Sequence, residues 1–322
     1  MEKFKIASFF AGVGGIDLGF ELTGFFETIY ANEIDIYPVK TFEENFNLRV
    51  DCRDVKNVNP FEVPQNADGY CLGFPCQPFS IAGYRQGLED LKGRGNLFFE
   101  VMRIVHENKP RFIFIENVKN LVNHDGGKTF KIILESLSEE KYKFHYKVLN
   151  AMEYGNVPQN RERIYIIAFQ NETDFKKFSF PEKIPLTKKI TEIIDFENPV
   201  DEKYYYTEGK YKGDIYEKLL EAMDDKNSIY QWRRKYVRKN MSGVIPTLTA
   251  NQGEGGHNVC LIKTNFGIRK MTPRECFNAQ GFPKNFNLPN DLIDSKLYKQ
   301  AGNSVCVEVV KRIAENIANA VV

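Results

Sequence analysis

Along the first 170 residues, short apolar runs alternate with stretches whose apolar positions recur at helical spacing. FKIASFF (4–10), ETIYANE (27–33), ADGYCLGF (67–74), PRFIFIEN (110–117), YKFHYKVLNA (142–151) and RERIYIIAFQ (161–170) read as strands. Between them lie an amphipathic run to Phe25, then DIYPVKTFEENF with Asp35 as cap and Pro38 in its first turn, then helices near 96–108 and 128–140. Such alternation predicts an α/β fold, a doubly wound and mostly parallel sheet with helices on both faces. Runs as apolar as PRFIFIEN fit strands buried on both sides.

The pattern breaks after Pro181. From 187 to 265 the chain is charged, tyrosine-rich and glycine-rich, without sustained alternation, and predicts a smaller irregular lobe. Order returns at TPREC (272–276), and the tail places Val305, Val309, Ile313 and Ile317 four residues apart on one helical stripe. That stripe needs a core, and the first lobe offers one. The expected division is therefore residues 1–186 plus 266–322 as one domain and 187–265 as another.

With 322 residues the chain can bury a large core in two lobes. A net charge of +1 neither demands nor excludes a polyanionic partner. No apolar run approaches the ~20 residues of a membrane span, and MEKFKIASFF carries no cleavage-site pattern, so a cytoplasmic protein is expected. The six cysteines form no CxxC pair or zinc-type cluster, which predicts free thiols and no metal.

Candidate chemistry gathers at strand ends, where ligands collect in open α/β sheets. FFAGVGGID (9–17) joins the first strand to a helix, as loops do that bring backbone N–H groups to a ligand. A dinucleotide fingerprint would want glycine at 17. Asp17 there suits a ligand bearing an ammonium group instead. Glu33 ends the second strand, placed for ribose hydroxyls, and Asp54 is placed for an adenine amino group. Together these predict a nucleoside-type cofactor such as S-adenosylmethionine. Cys76 follows the third strand between Pro75 and Pro78, on a loop too stiff to continue a sheet. Glu116 and Asn117 end a very apolar strand, Arg161 and Arg163 fall on one side if extended, and Asn303 lies on a turn entering the last helix. Singly, each has a structural explanation, such as a Glu116–Arg163 pair or a helix cap. Jointly they describe one polar pocket beside a cofactor site.

FAGVGG, Pro75-Cys76-Gln77, ENV, QNRER and RECFNAQGFP…GNSV, in this order, resemble the motif series of the C5-cytosine DNA methyltransferases of bacterial restriction-modification systems. The likeness covers about residues 4–170 and 268–322, and is loose between them. It implies a Rossmann-like methyltransferase fold and methyl transfer from S-adenosylmethionine to C5 of cytosine in a specific duplex sequence, leaving S-adenosylhomocysteine. Cys76 would attack C6, since C5 alone is a poor nucleophile. Glu116 would hold or protonate N3, Arg163 would bind O2, and Arg161 would support Arg163. Base flipping is implied as well, because a stacked base cannot reach such a pocket.

The resemblance further implies cofactor contacts at Phe10, Gly12, Gly14, Gly15, Asp17, Glu33, Ile34, Asp54, Val55, Phe74, Pro75, Leu97, Asn303 and Ser304. Ser80 and the loop 83–96, with Arg85 and Arg94, would close over DNA. In QWRRKYVRKNMSGVIPTLTANQGEGGHN (231–258), basic residues alternate with aromatics ahead of a glycine-rich turn. DNA contacts are expected there at Arg233, Arg234, Tyr236, Arg238, Thr247, Gln252, Gly253, Gly255 and Gly256, with Thr247 and Leu248 anchoring the lobe. A monomer acting beside a restriction endonuclease of the same specificity is the expected assembly. Three alternatives stand: a tRNA cytosine methyltransferase, a catalytically idle DNA-binding module, and a nicotinamide oxidoreductase, which Asp17 and the Pro-Cys loop disfavour.

Overall fold

The computed structural model describes residues 2–75, 97–211, 213–233, 235–252 and 258–322. Its contacts divide the chain into two compact units, Met1–Leu149 with Glu162–Glu182 and Val309–Val322, and Asn150–Arg161 with Lys183–Glu308. Compactness thus groups residues 266–308 with the second unit, whereas the motif series groups them with the first.

In the first unit the apolar runs become β1 (Phe4–Phe9), β2 (Phe26–Asn32), β3 (Gly69–Leu72), β4 (Phe112–Val118) and β5 (Lys143–Asn150), and, after a two-residue β6 (Gln159–Asn160) of the second unit, β7 (Glu162–Phe169). They form one sheet in the order β2-β1-β3-β4-β7-β5. The pairs β1–β2, β1–β3 and β3–β4 are parallel, and β4–β7 is antiparallel. The expected mostly parallel sheet is the one observed.

Both faces are covered. Helix α1 (Gly15–Glu21) sets Phe20 against Phe26 and Phe114 on one face, with ring centroids 4.9 and 5.3 Å apart. Each such pair adds about 0.5–1.5 kcal/mol to the burial of its rings. After α2 (Ile36–Glu43), capped by Asp35 as the sequence predicts, helices α3 (Leu97–Asn108) and α4 (Lys128–Glu139) cover the other face. Their Phe98, Val101, Val105, Ile133 and Leu137 join Ala7, Phe9, Tyr70, Leu72, Ile113 and Ile115 in one core. The single turn α5 (Ala151–Tyr154) belongs to the second unit, and α6 (Glu172–Lys177) to the first.

The second unit is more regular than its sequence suggests. Strands β8 (Tyr205–Tyr206), β9 (Tyr230–Trp232), β10 (Val237–Lys239), β12 (Cys260–Thr264) and β13 (Gly267–Lys270) form a sheet in the order β10-β9-β12-β13-β8. Every pair in it is antiparallel. With α7 (Ile215–Ala222) it encloses a core of Leu219, Met223, Tyr230, Leu261 and Ile268. Strands this short show too few alternations to be read from pattern, which corrects the expectation of an irregular lobe. The remaining strand, β11 (Ile245–Pro246), pairs in parallel with β6.

Two further helices follow, α8 (Pro273–Asn278) and α9 (Asp294–Asn303), before the last, α10 (Val307–Val321). Helix α8 begins with a capping box between Thr272 and Glu275 and with Pro273 at its first position. The tail stripe is buried throughout, and α1 carries Gly19 where any larger residue would overlap Val310 of α10. Among the described residues no helix is long and apolar enough to cross a membrane.

Candidate active site

The parallel strands of the first unit end on one edge of its sheet, and the polar residues singled out in the sequence follow those ends. β1 runs into the glycine loop. There Phe10 and Gly12 adopt left-handed backbone (φ 57° and 58°), as does Gly14 (φ 82°), where a methyl group would overlap the Phe46 ring. Gly15 then opens α1.

Two hydrogen bonds tie this loop to the end of β2. Ala11 N donates to Asn32 O at 3.0 Å, and Gly12 N donates to a Glu33 carboxylate oxygen, also at 3.0 Å. The other Glu33 oxygen accepts from Asp35 N at 2.9 Å. Burial raises the Glu33 pKa, and these N–H donors oppose the rise. The next residue, Ile34, is an apolar side chain left 61% exposed. Asp54 caps a short turn through Lys56 N at 3.1 Å, with Val55 buried behind it. Phe74 packs on Phe98 with centroids 5.4 Å apart, Pro75 is exposed, and Leu97 is half-buried at the start of α3.

Asp17 sits differently from the reading that faced it toward a ligand. It is fully buried and accepts a hydrogen bond from the Ser8 hydroxyl at 3.2 Å. Burial pushes its carboxyl up to about 7. In this arrangement Asp17 packs beneath the glycine loop.

The acid and one arginine do meet. In the β4–β7 ladder Glu116 lies opposite Tyr165 and Val118 opposite Arg163, so Glu116 and Arg163 are diagonal neighbours on one face. Arg163 Nε stands 3.1 Å from the Glu116 carboxylate, and Glu116 is only 8% exposed. Beside it, Asn117 donates from Nδ2 to Phe74 O at 2.9 Å, which ties the end of β4 to the residue two positions before Cys76.

Arg161 is held by three carbonyls of the second unit. Its guanidinium donates to Leu248 O at 3.0 Å, to Gly302 O at 3.2 Å and to Ser304 O, and it is 2% exposed. Gln159, two residues earlier, donates to Ala279 O and receives Leu248 N at 3.2 Å, while Thr247 Oγ1 donates to Asn160 O at 2.6 Å. These ties hold Leu248 by its backbone and Thr247 by its hydroxyl. Asn303 is not on a turn entering α10. It is the exposed last residue of α9, a helix not recognised in the sequence, with Ser304 as the cap that follows.

Of the residues expected to read DNA, Arg233 donates to the Asn258 side chain at 3.2 Å, Arg238 to the Gln231 side chain, and Tyr236 is exposed. Gln252 is folded inward, its backbone N–H bonded to Thr249 O at 3.2 Å, and is 2% exposed, against its expected place at a groove. Cys76, Ser80, Arg85, Arg94, Arg234, Gly253, Gly255 and Gly256 lie outside the described residues. The described residues contain no group of three or more His, Cys, Asp or Glu side chains arranged for a metal ion. Burial raises the thiols of Cys71, Cys260 and Cys276, which makes them poor nucleophiles.

The sequence reading missed Asn32 and gave Asn117 no role, although both are polar residues closing apolar strands, the same signal that pointed to Glu116. Gln159 and Gln280, both fully buried in the second unit, gave no such signal, because their partners lie far away in the chain.

Residues 4–319 match the model of the C-5 cytosine-specific DNA methylase family. The chain is 55% identical over 313 residues to Type II methyltransferase M.Bsp6I of Bacillus sp. (strain RFL6), covering 97% of this chain and 98% of that protein. It is 36% identical over 330 residues to Type II methyltransferase M.HhaI of Haemophilus parahaemolyticus, covering 99% and 95%. The fold is shared with the methyltransferase EhMeth of Entamoeba histolytica (TM-score 0.73, 20% identity, 98% of each chain). It is shared also with the Dnmt2 methyltransferase of S. pombe (TM-score 0.72, 17% identity, 96% of this chain and 97% of that one). The chain therefore belongs to the C-5 cytosine-specific DNA methylase family, and it is an enzyme, a DNA cytosine-5-methyltransferase.

Proposed function

We propose that the enzyme methylates C5 of one cytosine within a short specific sequence of double-stranded DNA, using S-adenosylmethionine, with the base turned out of the duplex and Cys76 bonded to C6 during transfer. The observation that carries this reading is the pair of buried Glu116 and half-buried Arg163 at the edge where the parallel strands end. It presents a carboxyl group and a guanidinium side by side, the pair needed to grip the N3 and O2 edge of a pyrimidine.

The donor set of the glycine-loop region fits the cofactor. Glu33 and Asp54 are acceptors suited to ribose hydroxyls and an adenine amino group, and each is followed by an apolar residue, Ile34 or Val55, able to cover a ring. Phe10, Gly12, Gly14 and Gly15 would line the other side, with Phe74 and Leu97 beyond. When bound, S-adenosylmethionine supplies an electrophilic methyl group.

The chain's own residues prepare the base to accept it. The Cys76 thiolate forms a bond to C6, and the ring electrons move toward C5 and N3. Glu116, as the protonated carboxyl, donates its proton toward N3 as negative charge arrives there, and Arg163 holds O2. Once C5 carries the methyl group, its proton leaves to water. The C6–sulfur bond then breaks and returns the electron pair to Cys76. Asn117, through Phe74 O, limits how far the chain before Cys76 can drift. Arg161 acts as a support within the second unit, whose 231–258 segment contacts DNA. A restriction endonuclease of the same specificity is the natural partner.

Incubation with methyl-labelled S-adenosylmethionine and either duplex DNA or tRNA tests the reading. Label should enter duplex DNA as 5-methylcytosine, and bisulfite sequencing should place it in a single sequence context. Label in tRNA alone, or in neither, overturns the proposal. Duplexes carrying 5-fluorocytosine at the target should trap a denaturant-resistant adduct, and its absence would remove the covalent step.

A further inference from the structure

We propose that Asn32 is the positioning residue for the adenosine half of the cofactor site, an inference that rests on the cofactor reading above. Asn32 closes β2 and is 2% exposed. Its Nδ2 donates to two carbonyls of another segment, Asp51 O at 2.8 Å and Arg53 O at 2.9 Å. Its own carbonyl accepts from Ala11 N of the glycine loop at 3.0 Å. One residue therefore fastens three stretches of chain: the loop with Phe10 and Gly12, the β2 end with Glu33 and Ile34, and the 51–54 piece with Asp54.

Residues 51–54 have other ties as well: Asp51 N donates to Ala31 O at 2.8 Å, and Arg53 pairs with Glu62 at 2.9 Å. Asp51 forms an isolated parallel bridge with Asn32, and Glu33 N reaches Asp51 O at 3.3 Å. The Asp51 side chain receives Tyr30 Oη at 2.8 Å and is bracketed by Arg53 at 2.7 and 2.8 Å. The Asp51 contacts orient that residue, and Asn57 N holds Asp54 O within its own turn at 2.8 Å. The Asn32 bond to Arg53 O ties the peptide just before Asp54 to the end of β2.

The residue type matters as well. The carbonyls of Asp51 and Arg53 both reach one nitrogen, and a carboxamide offers both of its hydrogens there. Serine has one donor. Aspartate would set a carboxylate against two carbonyl oxygens and lose both bonds. Asn32 touches no reacting atom in this scheme. It determines where Asp54 stands, and so how well the adenine amino group is recognised.

The test is made on the full-length enzyme with S-adenosylhomocysteine and S-inosylhomocysteine, which differ in the adenine amino group. Asn32→Ser should weaken S-adenosylhomocysteine about tenfold. It should also shrink the preference over S-inosylhomocysteine, raise KM for S-adenosylmethionine, and leave kcat at saturating cofactor within about twofold. Should Asn32→Ser fail to fold, Asn32→Thr, which also keeps one donor, serves the same measurements. Unchanged affinity and preference overturn the proposal. So does an equal loss for both ligands together with a lowered Tm, the mark of a purely structural residue. If the unmutated enzyme binds neither ligand, the cofactor reading itself fails, and that result is distinct from the other two.

Discussion

The two compact units hold their functional residues in different ways. In the first, Glu33 follows a strand, and Glu116 and Arg163 lie near the ends of strands, whose registers are set by long apolar runs. In the second, regular elements are short and the key segments are fastened by side chains reaching far along the sequence. Arg161 grips carbonyls 87, 141 and 143 residues away. Arg269, fully buried, is held by both oxygens of Glu275 at 2.8 Å. The first unit's strand-end chemistry is thus positioned mainly by hydrophobic burial and the sheet ladder, with ties such as those of Asn32 and Asn117 added, and the second unit's mainly by polar ties. A site that must hold one geometry benefits from the first kind of support. A unit held by individual ties can exchange its reading residues without rebuilding a sheet.

The largest expected effect separates chemistry from recognition. Cys76→Ala should abolish methyl transfer while specific DNA binding, measured by gel retardation, persists. Comparable turnover by that variant would eliminate covalent catalysis and move the chemistry away from the first unit's edge. Glu116→Gln comes next. Loss of the carboxylate should lower kcat about 10²–10⁴-fold with cofactor affinity preserved. If KM for the cofactor rises while kcat holds, the Glu116–Arg163 pair belongs to binding instead.

Glu275→Gln probes the other unit. It strips the charge from a buried pair and leaves Arg269 without a counter-charge, which costs about 3–5 kcal/mol. Urea unfolding should show that loss, and DNA affinity should fall more than S-adenosylhomocysteine affinity under native conditions. An equal loss of both would mean that the two units do not differ in the way described.

The smallest effect is expected at Asp17. Its folded pKa of about 7 lies above the ordinary 3.8, so the folded state keeps a proton that the unfolded chain has already released. The stability this contributes is complete below about pH 4 and is lost as pH rises through about 7, with a slope of at most about 1.4 kcal/mol per pH unit. Asp17→Asn keeps a polar group for Ser8 and cannot ionise. Its urea midpoint should therefore fall less between pH 5 and pH 8 than that of the unmutated enzyme. Parallel pH profiles would show that the glycine loop does not rest on a neutral acid.

Much of the first unit is legible because its determinants are local. An apolar run bounded by polar residues specifies a buried strand and where it ends, and that end is where Glu33, Glu116 and Asn117 fall. The motif order then points to the enzyme class without any contact being known. Asp17 shows the limit of that legibility: position in the sequence places it in a glycine loop, and only packing turns its side chain toward Ser8.

By itself, then, the sequence determined the alternating architecture, the strand-end location of the chemistry and the family, since periodicity and motif spacing depend on neighbours along the chain. Tertiary structure alone decided that residues 187–270 contain an antiparallel sheet, that Asn303 ends a helix, that Gln252 is buried, and that Asn32 and Arg161 hold distant carbonyls. Those outcomes depend on which unpaired backbone groups meet which side chains after collapse. A buried polar group must find some partner, but nothing in the local pattern says which one.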